Sequence, residues 1–214
     1  MTFRSRAAGA KELAEALIQY KDTHDTVVVA LPRGGIVVGR VIADALGLPL
    51  DIVVPRKIGY PGNEEYAIGA ITETGDTIWN EDEYAHTDKK LLTQNIEKAY
   101  REAKRRLSVY RKGMKERDWR GKIILLVDDG IATGLTMRAA IKSVKTLGAE
   151  TIIVAVPGGP ADTIDMLKKE SSVHEVVVLE IPDTFYAVGQ LYEEFGQVED
   201  NEVITLLNPL FYTL

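Results

Sequence analysis

The sequence contains no cysteine, which excludes disulfides, thiol catalysis and thiolate metal sites. Its three histidines, His24, His86 and His174, are isolated and show no metal-ligand spacing. No apolar run approaches the length of a bilayer span, and the opening MTFRSRAAGAKELAEAL lacks the apolar centre of a secretory signal. A cytoplasmic location with no membrane partner is therefore expected. Positive charge is not in excess either. The net charge of -6 and pI near 5.2 argue against a nucleic-acid partner, so the groups that bind any anion must be local. There is no GxxxxGK[ST] loop and no GxGxxG, which removes P-loop triphosphatases and dinucleotide enzymes. Internal repeats and low-complexity linkers are absent as well.

What remains is a chain of 214 residues, enough for one domain with a sizeable core, and one domain over 1–214 is expected. Short β-branched runs alternate with amphipathic segments, the pattern of an α/β domain built on a mostly parallel, doubly wound sheet flanked by helices. The spacing predicts helices over 7–20, 36–46, 134–147 and 160–170, and strands at TVVVAL, LDIVVP, KIILLV, TIIVAV and EVVVLE. Residues 66–79, YAIGAI and DTIWN around TETG, read as an antiparallel hairpin. Residues 88–115 carry Leu92, Ile96, Ala99, Ala103, Leu107, Tyr110 and Met114 in steps of three and four, so one long helix is expected, either a homodimer face or a cover. The expected layout is a core over about 25–180, an insertion over about 66–118 and an aromatic-rich C-terminal hood over about 181–214.

Ligands of open α/β sheets bind beyond the carboxyl ends of the strands. Four loops lie there, and ILLVDDGIATGLT is the most informative. Asp128 and Asp129 leave a buried strand side by side, repel each other, and need a cation or several hydroxyl donors. A sugar diol and a hydrated Mg²⁺, held through water, supply both. Gly130 and Gly134 then let the backbone close tightly before the next helix, whose first amides are free to hold an anion. Thr133 and Thr136 add hydroxyls, and a phosphate fits the turn. The plainer alternative is that Asp129 or Thr133 caps the helix while Asp128 is solvated.

The other loops extend the site. In PRGG, Gly34 and Gly35 let the backbone approach an anion and Arg33 offers a two-pronged guanidinium; the plainer alternative is an ordinary turn with a solvated arginine. PRKIGYPGNEEY joins Arg56 and Lys57 to Gly59, Pro61 and Gly62, a composition that suits a mobile loop closing on a ligand. PGGPADT is a sufficient turn and helix start. In IPDTFYAVGQLYEEF, Phe185 or Tyr186 offers a face for a planar base, although closing aromatics more often fill a core.

ILLVDDGIATGLT resembles the phosphoribosyl-pyrophosphate motif of type I phosphoribosyltransferases: an aliphatic strand, an acid pair, small residues, then Thr-Gly, one residue, and Thr. The resemblance covers roughly residues 25–180. It implies that Asp128 and Asp129 take the ribose hydroxyls, while Gly130, Ile131, Ala132, Thr133, Gly134, Leu135 and Thr136 form the turn around the 5-phosphate. It also implies that ALPRGG is a pyrophosphate loop, often with a non-proline cis peptide in this family, and that Arg56 and Lys57 neutralise departing pyrophosphate. Ala132 stands where some purine-using members have a third aspartate, and other members share the alanine; Gly130 replaces a usual aliphatic residue. The expected activity is transfer of ribose 5-phosphate between phosphoribosyl pyrophosphate and a base, with Mg²⁺ as cofactor. The alternative is a non-catalytic sensor of phosphoribosyl pyrophosphate or a nucleotide on the same fold, against which Arg33, Arg56 and Lys57 weigh. A receiver domain carries paired acids after its first strand, whereas these follow a later one.

Overall fold

A computed structural model describes residues 2–115 and 117–208. Its centre is a five-stranded parallel sheet made of β2 (Thr26–Ala30), β3 (Leu50–Ile52), β7 (Ile123–Val127), β8 (Thr151–Gly158) and β9 (Glu175–Glu180), ordered β3-β2-β7-β8-β9. Successive residues of a strand face opposite sides, and the two cores divide along that alternation. Val28, Ala30, Leu125, Val127, Ile153 and Ala155 meet α1 (Arg6–Ala16), α2 (Gly35–Leu46) and α7 (Asp200–Leu207) on one side. Val29, Leu31, Ile124, Leu126, Ile152 and Val154 meet α5 (Leu135–Thr146) and α6 (Ala161–Lys168) on the other. Both faces are covered, which is why the strands read as unbroken apolar runs.

The chain winds from β2 out to the β3 edge, then returns to lay β7 on the opposite flank of β2, with Ala30 level with Val127. Strand order therefore reverses between β2 and β7, and a crevice opens beyond their carboxyl ends. PRGG and DDGIATG both emerge there.

A second sheet is antiparallel, formed by β4 (Arg56–Tyr60), β5 (Asn63–Ile71) and β6 (Thr77–Trp79). The hairpin expected at 66–79 is β5–β6, but the segment expected to be a mobile loop is largely the β4–β5 hairpin. Ile58 explains the difference: it is fully buried with Ile68, Ile71 and Leu92, which draws β4 onto β5 from Arg56 onward. Only Pro61 and Gly62 remain as the turn. The long helix α4 (Lys89–Tyr110) follows the short α3 (Glu81–His86) and stops short of the expected residue 115. Arg111 leaves the helix to form a two-point ion pair with Asp51, at 2.7 and 2.9 Å. Met114 packs outside the helix against the main core.

The C-terminal part differs from the expected hood in two ways. Strand β10 (Tyr192–Glu194) pairs in parallel with an N-terminal strand, β1 (Phe3–Ser5), so the hood is built from both ends of the described chain. Helix α7 belongs to the main core through Val203 and Leu207. Residues 209–214 of the expected hood lie outside the described residues.

The antiparallel sheet is tied to the central one by a buried ion pair. Glu73 accepts from Val54 N at 2.8 Å and from Arg117 Nη1 at 2.5 Å, and its side chain is 1% exposed. Glu73→Gln leaves the Arg117 charge buried without its carboxylate, so a loss of about 3 kcal/mol in urea unfolding is expected. A loss below about 1 kcal/mol, the range of an exposed pair, would show that water replaces the carboxylate.

Candidate active site

The acid pair sits where β7 ends, and its first contact is the PRGG loop. A side-chain carbon built on Gly34 would lie 1.9 Å from Asp129 Oδ2, and one on Gly35 would lie 2.8 Å from Asp128 Oδ1. Only glycine lets the two loops touch here. The Pro32–Arg33 peptide in this loop is cis. Asp128 Oδ1 accepts from Asp129 N at 2.8 Å. Burial, and then the charge of Asp129, push the Asp128 carboxyl well above the usual carboxylate range.

Beyond the acids the backbone turns back under α6 and β8. Ile131 N donates to Gly158 O at 3.0 Å, and Thr163 Oγ1 donates to the Ala132 carbonyl at 2.8 Å, so the PGGPADT segment buttresses this turn from below. Gly130 is closely covered by Val188. Ala132 and Thr133 are exposed, Thr136 is half-buried, and Leu135 is buried. Gly134 adopts φ +75°, a left-handed conformation that glycine alone takes without strain, and stands as the N-cap of α5 with no side chain capping it. The capping alternative for Asp129 and Thr133 is thereby removed. The first amides of α5 carry no side-chain cap, and the positive end of the helix dipole lies with them.

Arg56 stands across from this helix start. It lines a cavity of about 400 Å³ together with Lys57, Asn95, Lys98, Glu102 and Thr136. Its Nε is buried without a hydrogen-bond partner. Burial, then the nearby Arg106 charge, push its pKa down. Lys57 is exposed at the same mouth. Arg33 stands near the start of α7, with Nη1 3.5 Å from Glu199 and 3.7 Å from Asp200, and near enough to Arg56 for the two charges to repel. With Gly34, Arg6 and Phe195 it lines a second cavity of about 370 Å³. Thus the structure gathers the acid pair, Arg33, Gly34 and Gly35 in one place, and Arg56, Lys57 and Thr136 in an adjoining one. It does not bring Phe185 or Tyr186 into either cavity: Phe185 packs in the hood cluster with Phe3 and Leu191, and Tyr186 is 88% exposed.

Three residues that sequence reasoning missed complete the surroundings. Arg6 Nε is 2.7 Å from Asp129 Oδ2, Tyr192 donates its hydroxyl to the Asp129 carbonyl at 2.5 Å, and Phe195 lies against the Arg6 guanidinium, 3.9 Å from ring centre to Cζ. Burial, then the Asp129 charge, push the Tyr192 phenol well up, which keeps it a donor. Arg6 lies 123 residues from Asp129 in sequence, and no local spacing could signal the contact.

An acid pair packed on a glycine loop, next to an uncapped helix start, at the switch point of a doubly wound sheet places the chain in the class of α/β proteins whose ligands sit beyond the strand ends. Residues 3–194 match the phosphoribosyl transferase domain family. A Mycobacterium tuberculosis protein bearing the name of a phosphoribosyl transferase is 38% identical over 208 residues, 96% of this chain and 46% of that protein, so the chain spans about half the length of the curated relatives it matches. The crystal structure of TT1426 from Thermus thermophilus is similar over 97% of this chain and 98% of its own, with 37% identity and a TM-score of 0.79. That of AQ2163 from Aquifex aeolicus covers 96% and 84% at 11% identity and a TM-score of 0.51, a likeness of fold alone. The chain belongs to the phosphoribosyl transferase domain family.

Proposed function

We propose that the protein is a magnesium-dependent phosphoribosyltransferase that moves ribose 5-phosphate from phosphoribosyl pyrophosphate to the ring nitrogen of a base. The observation that carries this reading is the acid pair held against Gly34 and Gly35 beside the open start of α5. Such a crevice has carboxylates for a diol at one end and amides for a phosphate at the other. Asp128 and Asp129 hold the ribose hydroxyls; the 131–136 turn holds the 5-phosphate; Arg33, Arg56 and Lys57 face the diphosphate. The base nitrogen donates its lone pair to C1 as the bond from C1 to the diphosphate oxygen breaks. The electron pair leaves on pyrophosphate, and the nitrogen proton passes to solvent. Charge on C1 becomes positive during this exchange, and the nearby carboxylates favour it, while the arginines favour the departing anion.

The donor set suits magnesium held through water. Among the described residues no third acid or histidine joins the pair to make a cage, and magnesium takes most of its oxygens from water and phosphate in sites of this kind. Asp128 and Asp129 would be the residues that hold it. When bound, the ion offsets diphosphate charge.

Membership of the family and the half-buried, partly unpartnered Arg56 at the cavity support an enzyme over a sensor. The test is a panel of nucleobases with phosphoribosyl pyrophosphate and Mg²⁺, read as pyrophosphate released. Release with one base or a few is expected. Tight binding of the sugar donor with no release from any base would make the protein a sensor instead.

A further inference from the structure

Arg6 is the first residue of α1, where the positive end of the helix dipole disfavours a cation. It is nevertheless buried, with its side chain 11% exposed, so something must hold it there. Three contacts do. Nε binds Asp129 Oδ2 at 2.7 Å, Nη1 donates to Gly196 O at 2.7 Å, and the guanidinium lies over the Phe195 ring. The Asp129 side chain is itself only 13% exposed and rests on Gly34. A guanidinium anchored at three points is a fixed donor, and it engages one oxygen of Asp129, Oδ2. The pair thereby joins the start of α1, the hood and the end of β7 at one carboxylate.

Resting on the donor-site reading above, we infer that Arg6 is a positioning residue of that site: it holds the Asp129 carboxylate in one rotamer, so that the acid pair recognises the sugar diol. Without Arg6, the Asp129 carboxylate loses its anchor beside a second carboxylate and swings away from its place on Gly34. That movement removes an acceptor from the diol. The phosphate turn, made of backbone amides on α5, would be untouched.

Titration calorimetry of the whole chain with Mg²⁺ separates these parts, using ribose 5-phosphate, 2-deoxyribose 5-phosphate and inorganic phosphate as probes. A hydrogen bond to a charged group accounts for about a tenfold preference for ribose 5-phosphate over the deoxy sugar in the wild type. Arg6→Met is expected to reduce that ratio to within about twofold while leaving the phosphate affinity unchanged. Arg6→Lys, which keeps the charge but not the fork, is expected to recover part of the ratio. Phe3→Leu loosens the same hood away from the carboxylate and is expected to keep the full ratio. A folded Arg6→Met protein with the wild-type ratio overturns the inference, as does one that binds both sugars more tightly, since Arg6 would then compete with the ligand. If the methionine variant does not fold, the same two outcomes in Arg6→Lys overturn it. A wild-type protein that binds phosphate but neither sugar would instead overturn the donor-site reading.

Discussion

Asp128→Asn is expected to yield a protein that is more stable than the wild type and nearly inactive. In the unfolded chain Asp128 titrates near 3.8; in the folded one, burial and the neighbouring Asp129 hold its proton to a much higher pH. A raised folded value means that the contribution to stability is complete below the unfolded value and is lost as pH rises through the folded one. Near neutrality the wild type therefore carries a penalty that a neutral amide avoids. The amide escapes that penalty, so Asp128→Asn is expected to unfold at a higher temperature than the wild type near neutrality. The asparagine oxygen can still accept from Asp129 N, so the turn itself has no reason to change. Turnover should fall by about two to three orders of magnitude, because the carboxylate that forms once the donor and magnesium are bound, and that favours the developing cation at C1, becomes a dipole. Asp129→Asn separates the two effects. It strips the buried Arg6 of its carboxylate, so it should lose both activity and stability. Thermal unfolding of the three proteins in chelator from pH 5 to 8, beside turnover in Mg²⁺, checks both halves. A destabilised Asp128→Asn protein, or one that keeps its turnover, would refute the account of the acid pair.

How much of this was legible in the sequence depends on how far apart the cooperating residues lie. The central strands announced themselves because both faces of β2, β7 and β8 are covered, leaving runs such as ILLV that admit no polar residue. That the acid pair, Gly34, Gly35 and the 130–136 turn meet at neighbouring strand ends was readable because each loop follows its strand within about ten residues. The β4–β5 hairpin was not, since Arg56, Lys57 and two glycines outweigh the single buried Ile58 in any local window. The hood was missed in its main point: Phe3 and Tyr192 pair across nearly the whole chain, and three-residue strands carry too little periodicity to be seen. Arg33 could be picked out as a loop arginine, but its approach to Glu199 and Asp200 depends on α7 joining the main core, which nothing in the aromatic C-terminal composition suggests.

Arg56→Met should separate stability from activity in the same sense as Asp128→Asn, from the opposite charge. The Arg56 guanidinium is half-buried, its Nε has no partner, and Arg106 lies close enough to repel it. A fold under selection for stability alone gains nothing from such a group, because an unsatisfied buried donor costs about 1–3 kcal/mol. Methionine fills similar volume without a donor or a charge, so the variant should unfold no earlier than the wild type in urea and by as much as about 1 kcal/mol later. The same desolvation makes the guanidinium a strong partner for an anion that enters the 400 Å³ cavity it shares with Thr136. If that anion is the departing diphosphate, its charge grows as the C1 bond breaks, and Arg56 stabilises the transition state more than the bound donor. kcat should then fall by about 10²- to 10³-fold with a smaller change in KM for phosphoribosyl pyrophosphate. Pyrophosphate should lose affinity in parallel when the reaction is run in reverse. Arg56→Lys should restore little, since a single ammonium cannot bridge two diphosphate oxygens as a planar fork does. A methionine variant that loses stability without losing kcat would make Arg56 a structural residue and leave the diphosphate to other cations such as Arg33.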